Sequence, residues 1–243
     1  DSAIAALAHA VRSGDADLAI EVLRDTGSDD VQWIDPADRK ALGQLQDTVV
    51  SGAAEVARAA SEGNAGYALE RAVDLKVLCG TRFGPLGSYA WRDHLERRLP
   101  KLVQGLSTGR GYYVGRPVII TRNDYISGVF NGDTGIVIRN DARTVVAMPG
   151  GPDGIRLVLP SQLAAVETWW AMTIHKSQGS EFAHAVVSLP DARSRVLTRE
   201  LLYTGITRGK EKVTVVASEA ALRRAIDSPV ARASGLRARL WKQ

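Results

Sequence analysis

Cysteine is almost missing from this sequence. Cys79 is the one thiol in 243 residues, which excludes an internal disulfide and a cysteine metal cluster. It sits in the apolar run Leu75–Cys79 and reads as a small buried hydrophobe; a reducing cytoplasm fits. No apolar run approaches the ~18–20 residues that a membrane span requires, so no membrane partner is expected. The chain opens at Asp1 with no methionine and no basic-then-apolar leader, so no secretory signal is expected. A phosphate loop of the form G-x-x-x-x-G-K-[ST] occurs nowhere in the sequence. Internal repeats and low-complexity segments are likewise missing.

What is present is an ordinary globular composition, 45% hydrophobic and 24% charged. Its length suits one large or two small domains with ample core. The net charge of +4 is unevenly spread. Residues 1–80 carry 7 Lys/Arg against 14 Asp/Glu, and residues 81–243 carry the other 24 against 13. An acidic lead-in therefore precedes a basic body that is suited to meet phosphate.

Apolar residues at helical spacing predict two short helices, through Ile4, Leu7, Ala8 and Val11 and through Leu18, Val22 and Leu23. Val31–Ile34 reads as a brief strand. Asp35 as N-cap and Pro36 at the first helical position predict a long helix to about Ala60. A helix over about Ala65–Asp74, the strand Leu75–Cys79 and a helix over Ser88–Leu99 follow, then a Gly-rich, mobile Ser107–Gly115. From Arg116 to about Val166 the pattern changes. Short β-branched runs (Val118–Thr121, Ile136–Ile138, Thr144–Ala147, Ile155–Leu159) alternate with Asn-Gly, Pro-Gly-Gly and Pro-Asp-Gly turns, the spacing of a small all-β barrel. Helix and strand then alternate again: strands Trp169–Ile174, Ala183–Leu189 and Val213–Ala217, a helix Leu197–Thr207 and a last helix from Ser218. The fold class is α/β with a β-barrel insertion. The expected division is 1–115 as the first part of the α/β domain with its helical lead-in, 116–166 as the insertion, and 167–243 as the remainder.

Two polar clusters stand beside strand-like runs. The first is T-I-H-K-S-Q-G-S-E-F at Thr173–Phe182, and the second is L-L-Y-T-G-I-T-R-G-K-E at Leu201–Glu211. Strand ends are where a parallel sheet gathers ligand chemistry. Alternation puts Trp169, Ala171, Thr173 and His175 on one face of the strand and Trp170, Met172 and Ile174 on the other. Read alone, His175 is as well explained as a satisfied polar residue at a strand end. Arg208 is as well explained as a surface cation complementing a helix C-terminus, and Arg82, in V-L-C-G-T-R-F-G-P, as one half of a structural salt bridge.

Together the two clusters resemble the fifth and sixth motifs of superfamily 1 helicases, and the Arg82 segment resembles the fourth. The segment G-R-P-V-I-I-T-R-N-D-Y-I-S-G-V-F-N-G-D-T-G at Gly115–Gly135 narrows this to RecD-type helicases. Similarity is dense from about Leu75 to Ala217. The resemblance implies a RecA-like motor domain interrupted by a Src-homology-3-like barrel. It implies that Thr173 and His175 touch single-stranded DNA, that Gly179 and Glu181 lie by the nucleotide with Glu181 on the ribose, and that Arg208 reaches the γ-phosphate. Arg82 would be a second phosphate-facing arginine. Arg122, Asn123 and Tyr125 could also meet the strand through charge, amide and ring stacking, although turn roles explain them equally well. ATP and Mg²⁺ are the implied cofactors, held mainly by a first motor domain that this sequence does not contain, with no metal ligand here.

The same resemblance implies 5′→3′ translocation on single-stranded DNA and assembly with RecB- and RecC-like subunits in double-strand break repair. A stand-alone helicase of the same type, the helicase part of a conjugative relaxase and a non-catalytic DNA-binding scaffold are the alternatives. The basic Leu222–Lys242 segment, with Arg223, Arg224, Arg232, Arg237, Arg239 and Lys242, reads first as a solvated helix face and second as a contact for DNA or a partner subunit.

Overall fold

A parallel sheet and an antiparallel sheet, five strands each, share the chain between them in the computed structural model. It describes residues 2–230 except 26, 110, 142 and 152. In chain order the elements are α1 (Ala3–Ser13), α2 (Ala16–Arg24), β1 (Val31–Ile34), α3 (Arg39–Ser61), α4 (Ala65–Arg71), β2 (Leu75–Cys79) and α5 (Ser88–Leu102). Then come β3 (Pro117–Ile120), β4 (Thr134–Asn140), β5 (Arg143–Pro149), β6 (Ile155–Val158), β7 (Val166–Thr168) and β8 (Ala171–Thr173). The last four are β9 (Phe182–Ser188), α6 (Arg199–Ile206), β10 (Gly209–Val216) and α7 (Glu219–Ile226).

The first sheet runs β1-β10-β9-β2-β8, with every pairing parallel. Its strands are apolar on both sides because helices cover both. One core joins α1, α2, α6 and α7 to Leu78, Val187, Val213 and Val215, and the other joins α3, α4 and α5 to Val77, Cys79, Val186 and Val216. The second sheet runs β6-β5-β4-β3-β7, antiparallel throughout. Alternate residues of β4 and β5 split between two cores. Ile136, Ile138, Val145 and Ala147 join the α3 side, while Val137, Val146 and Met148 face Val118, Ile120 and Leu163. At the joint, Gly115 has φ +87° and lies so close to Ala57 of α3 that a Cβ there would sit 2.9 Å from the Ala57 backbone. Only glycine meets both conditions.

Three local expectations are corrected. The long helix begins at Arg39, because Asp38 accepts from the Lys40 and Ala41 amides, while Asp35 accepts from Ala37 in a separate turn. Helix α5 continues past Pro100 to Leu102. The Glu96 carbonyl that Pro100 leaves without an amide is met by the Thr108 hydroxyl at 2.6 Å. The expected strand Trp169–Ile174 is shorter, β8 (Ala171–Thr173) in the parallel sheet, and β7 (Val166–Thr168), which was not expected, ends just before it in the antiparallel one. The pleat slips between them: Trp169, Met172 and Ile174 enter one core, and Trp170 and Ala171 the other.

No helix among the described residues is long and apolar enough to cross a membrane. In the basic C-terminal segment, Arg223 is held by Asp17 of α2 at 2.7 Å and by Glu219 at 2.9 Å. Arg232, Arg237, Arg239 and Lys242 lie outside the described residues.

Candidate functional site

Register divides the expected site residues between the two ends of the parallel sheet. Thr173 pairs with Cys79, and Cys79 with Ser188, so these three share the C-terminal edge. Gly209 pairs with Phe182 at the opposite edge. The length of β9 separates the two levels, roughly 20 Å at ~3.3 Å per residue. Residues 174–181 link them, through a 3-10 turn at Ile174–Ser177 that crosses over β2 on the α6 side. His175 therefore lies in that turn, exposed, rather than on a strand end sharing a face with Thr173.

At the N-terminal edge Gly179, Ser180, Glu181 and Arg208 come together. Gly179 is exposed with φ +86° and has no neighbouring atom within 4 Å of where a Cβ would stand. The amide of Phe182 donates to the Arg208 carbonyl at 2.8 Å, closing the rim. The Arg208 guanidinium is half-buried and fully directed. Nε donates to Thr204 O at 3.2 Å, Nη1 to Ser180 O at 3.2 Å and Nη2 to Thr207 Oγ1 at 3.3 Å. Glu181 pairs with Lys210 at 3.0 Å. A hydrogen bond from Lys210, its charge and that of Arg208 hold the Glu181 carboxyl below the usual carboxylate range. Lys210 escaped the sequence reading. A register shift between Gly209 and Lys212 lies just where it leaves α6 for β10, and only its place directly after Arg208-Gly209 hinted at it.

At the C-terminal edge, Arg82 and Thr173 line one cleft with Arg92, Tyr89, Glu167 and Lys176. Lys176 pairs with Glu167 at 2.6 Å. Arg92 lies 4.8 Å from the Tyr89 ring centroid. Arg82 is exposed and has no carboxylate partner among the described residues. Arg82 follows β2 at the C-terminal edge and Arg208 precedes β10 at the N-terminal one, so the two expected phosphate-facing arginines lie at opposite edges of the sheet. Proximity to Thr173 was invisible in the sequence because it depends on β8 pairing with β2.

Arg122, Asn123 and Tyr125 occupy a third place, the loop after β3, around a cavity of about 340 Å³. Asn123 spends its side-chain oxygen on the Asn131 amide at 2.8 Å, and Asp124 accepts from Ile126 and Ser127. Tyr125 is 80% exposed, with its ring 5.9 Å from that of Phe130 in an edge-on arrangement.

Residues 168–216 match the family model for the UvrD-like helicase C-terminal domain. The chain is 41% identical to the RecBCD enzyme subunit RecD of Mycolicibacterium smegmatis over 250 residues, spanning 98% of this chain and 41% of that protein. Against the same-named subunit of Haemophilus influenzae, identity is 43% over 51% of this chain and 18% of the relative. The ATP-dependent RecD2 DNA helicase of Deinococcus radiodurans is 32% identical over 57% of this chain and 19% of its own length. The chain thus spans about two fifths of the length of the mycobacterial relatives.

Proposed function

Because this chain is a homologue of part of the RecD subunit along nearly its whole length, we propose that it is the second motor half of an ATP-dependent 5′→3′ DNA helicase of superfamily 1. In this reading the parallel sheet is the RecA-like domain, from 1–115 and 167–243. The antiparallel sheet over 116–166, with β7 continuing to Thr168, is the inserted Src-homology-3-like barrel. The observation that carries the proposal is the division of charge between the two sheet edges. One edge offers Glu181, Lys210 and a directed Arg208; the other offers Thr173 and an Arg82 with no carboxylate partner among the described residues, with His175 in the turn that leaves it.

ATP would supply the phosphoryl transfer that drives movement. The N-terminal edge fits one wall of its site: an exposed carboxylate for hydroxyl pairs, an ammonium, an open glycine turn and a guanidinium. Arg208, carried on the end of α6, would stabilise charge on the transferring phosphoryl group, for which a planar and always charged fork is suited. Mg²⁺ would be held by the first motor domain. Thr173 and His175 would bind the DNA backbone. Arg82 belongs with them, a change from the role first expected for it. Arg122, Asn123 and Tyr125 would extend the same strand's path across the inserted sheet. Partners are single-stranded DNA, the first motor domain and RecB- and RecC-like subunits in double-strand break repair.

The test is ATP turnover by the intact protein, with and without single-stranded DNA. Strong stimulation by DNA is expected. No turnover in either condition would favour a DNA-binding scaffold that keeps the fold without the work, and equal turnover in both would contradict coupling to DNA.

A further inference from the structure

The loop between β2 and α5 carries an exposed aromatic ring that the proposed function does not use. Phe83 is 73% exposed. Its ring stands 5.2 Å from that of Tyr89, nearly perpendicular at 89°. Leaving so much apolar surface in water is unfavourable, and a mobile loop could avoid it by turning the ring inward. This loop is tied at both ends. The Thr81 hydroxyl donates to Phe83 O at 2.9 Å, the Ser88 amide to Thr81 O at 3.0 Å and the Tyr89 amide to Arg82 O at 3.1 Å. The Gly87 amide donates to Gly84 O at 3.0 Å. Gly87 itself is packed so closely that a Cβ would lie 2.5 Å from Phe83 O. The exposed ring thus stands beside Tyr89, which with Arg82, Arg92, Thr173 and Lys176 lines the cleft described above.

We propose that Phe83 is a stacking platform for an unpaired nucleobase of the single-stranded DNA whose backbone lies along Arg82 and Thr173. This deepens the function proposed above and rests on it. The occupant follows from the juxtaposition of two features. A partner must present an apolar planar face to the ring and anionic groups to Arg82, which has no carboxylate partner among the described residues. Single-stranded nucleic acid carries both at neighbouring positions along one chain. A duplex hides its base faces in its own stack, so the ring discriminates single strands from duplex. Tyr89 and Arg92 act from behind as positioning residues, the tyrosine ring buttressing Phe83 and the Arg92 cation covering the tyrosine.

The experiment measures affinity of the intact protein, without nucleotide, for an oligothymidylate, an abasic strand of equal length and a duplex. It compares wild type with Phe83→Ala, Phe83→Trp and Arg82→Ala. Loss of one base-stacking contact should weaken oligothymidylate binding by roughly 5- to 100-fold while leaving abasic and duplex binding and the salt slope unchanged. Phe83→Trp should retain the affinity, and its fluorescence should be quenched by the oligothymidylate alone. Arg82→Ala should weaken oligothymidylate and abasic strands alike and reduce the salt slope. Equal affinity of Phe83→Ala and wild type for oligothymidylate overturns the platform and leaves the function standing, with the exposed ring then a contact for a protein partner. Failure of wild type to bind any single strand overturns the function on which the platform rests. Phe83 is exposed, so its replacement does not endanger the fold.

Discussion

Glu181 and Lys210 meet at 3.0 Å across the rim where the turn before β9 approaches the start of β10. The pair lies beside Arg208, whose Nη1 reaches the Ser180 carbonyl one residue before Glu181. Sequence neighbours of two separate motifs thus form one polar edge. Both partners are more than half exposed, 54% and 61%, so the pair contributes little to stability, and the role proposed for it is in binding.

Lys210→Ala and Glu181→Gln should therefore raise KM for ATP severalfold while changing kcat little. Each should leave stability nearly unchanged, as the loss of an exposed pair does. Steady-state kinetics and thermal melts of the intact protein check this. A large fall in kcat at unchanged KM would move these residues from binding to transition-state stabilisation.

Gly87→Ala should destabilise the protein by about 1–3 kcal/mol, because the new methyl group meets the backbone carbonyls of Arg82 and Phe83 at 2.7 and 2.5 Å. The backbone angles at Gly87 (φ −80°, ψ 163°) suit alanine, so space alone forbids it. The displaced loop carries Arg82 and Phe83, and single-strand affinity should fall with stability. Denaturant titration alongside binding measures both.

Lys76 is buried without a carboxylate, its ammonium 3.2 Å from Trp169 O and 3.7 Å from that ring's centroid. Burial lowers its pKa to about 7. The unfolded chain then holds more protons than the folded one between about pH 7 and 10.5, so stability rises with pH across that window. Half-buried His184, lowered to about 4 by burial and then by Lys212, works the same way lower down. Stability is lost as pH falls from about 6.5 toward 4. Lys76→Met should stabilise by about 1–3 kcal/mol at neutral pH and abolish the alkaline rise. Urea midpoints across pH 4–10 test both effects.

Much of this was legible in the sequence for identifiable reasons. Val31–Ile34 and Leu75–Cys79 announce strands because each is a short, mostly apolar run, interrupted only by Gln32 and Lys76. Short β-branched runs between glycine turns announced β3 to β6. The start of α3 was missed because Asp35 and Asp38 are both good caps, and only the competition between their turns decides. β7 was missed and β8 drawn too long because Trp169 and Trp170, which join them, are apolar enough for either sheet. Thr173, His175, Glu181 and Arg208 were found as motifs, but their separation across the sheet is a matter of register, which no local pattern records. That Arg82 lies at the edge opposite Arg208 was hidden for the same reason, and Lys210 and Phe83 were passed over.

The central claim is that the two edges of one sheet do different work. Arg208→Ala and His175→Ala in the intact protein test it most directly, by ATP turnover and single-strand affinity measured together. Arg208→Ala should depress turnover by ~10³-fold or more with DNA affinity nearly unchanged. His175→Ala should weaken DNA binding and its stimulation of turnover, with KM for ATP nearly unchanged. Near-normal turnover in the Arg208 variant, or equal loss of both properties in each variant, would contradict the account.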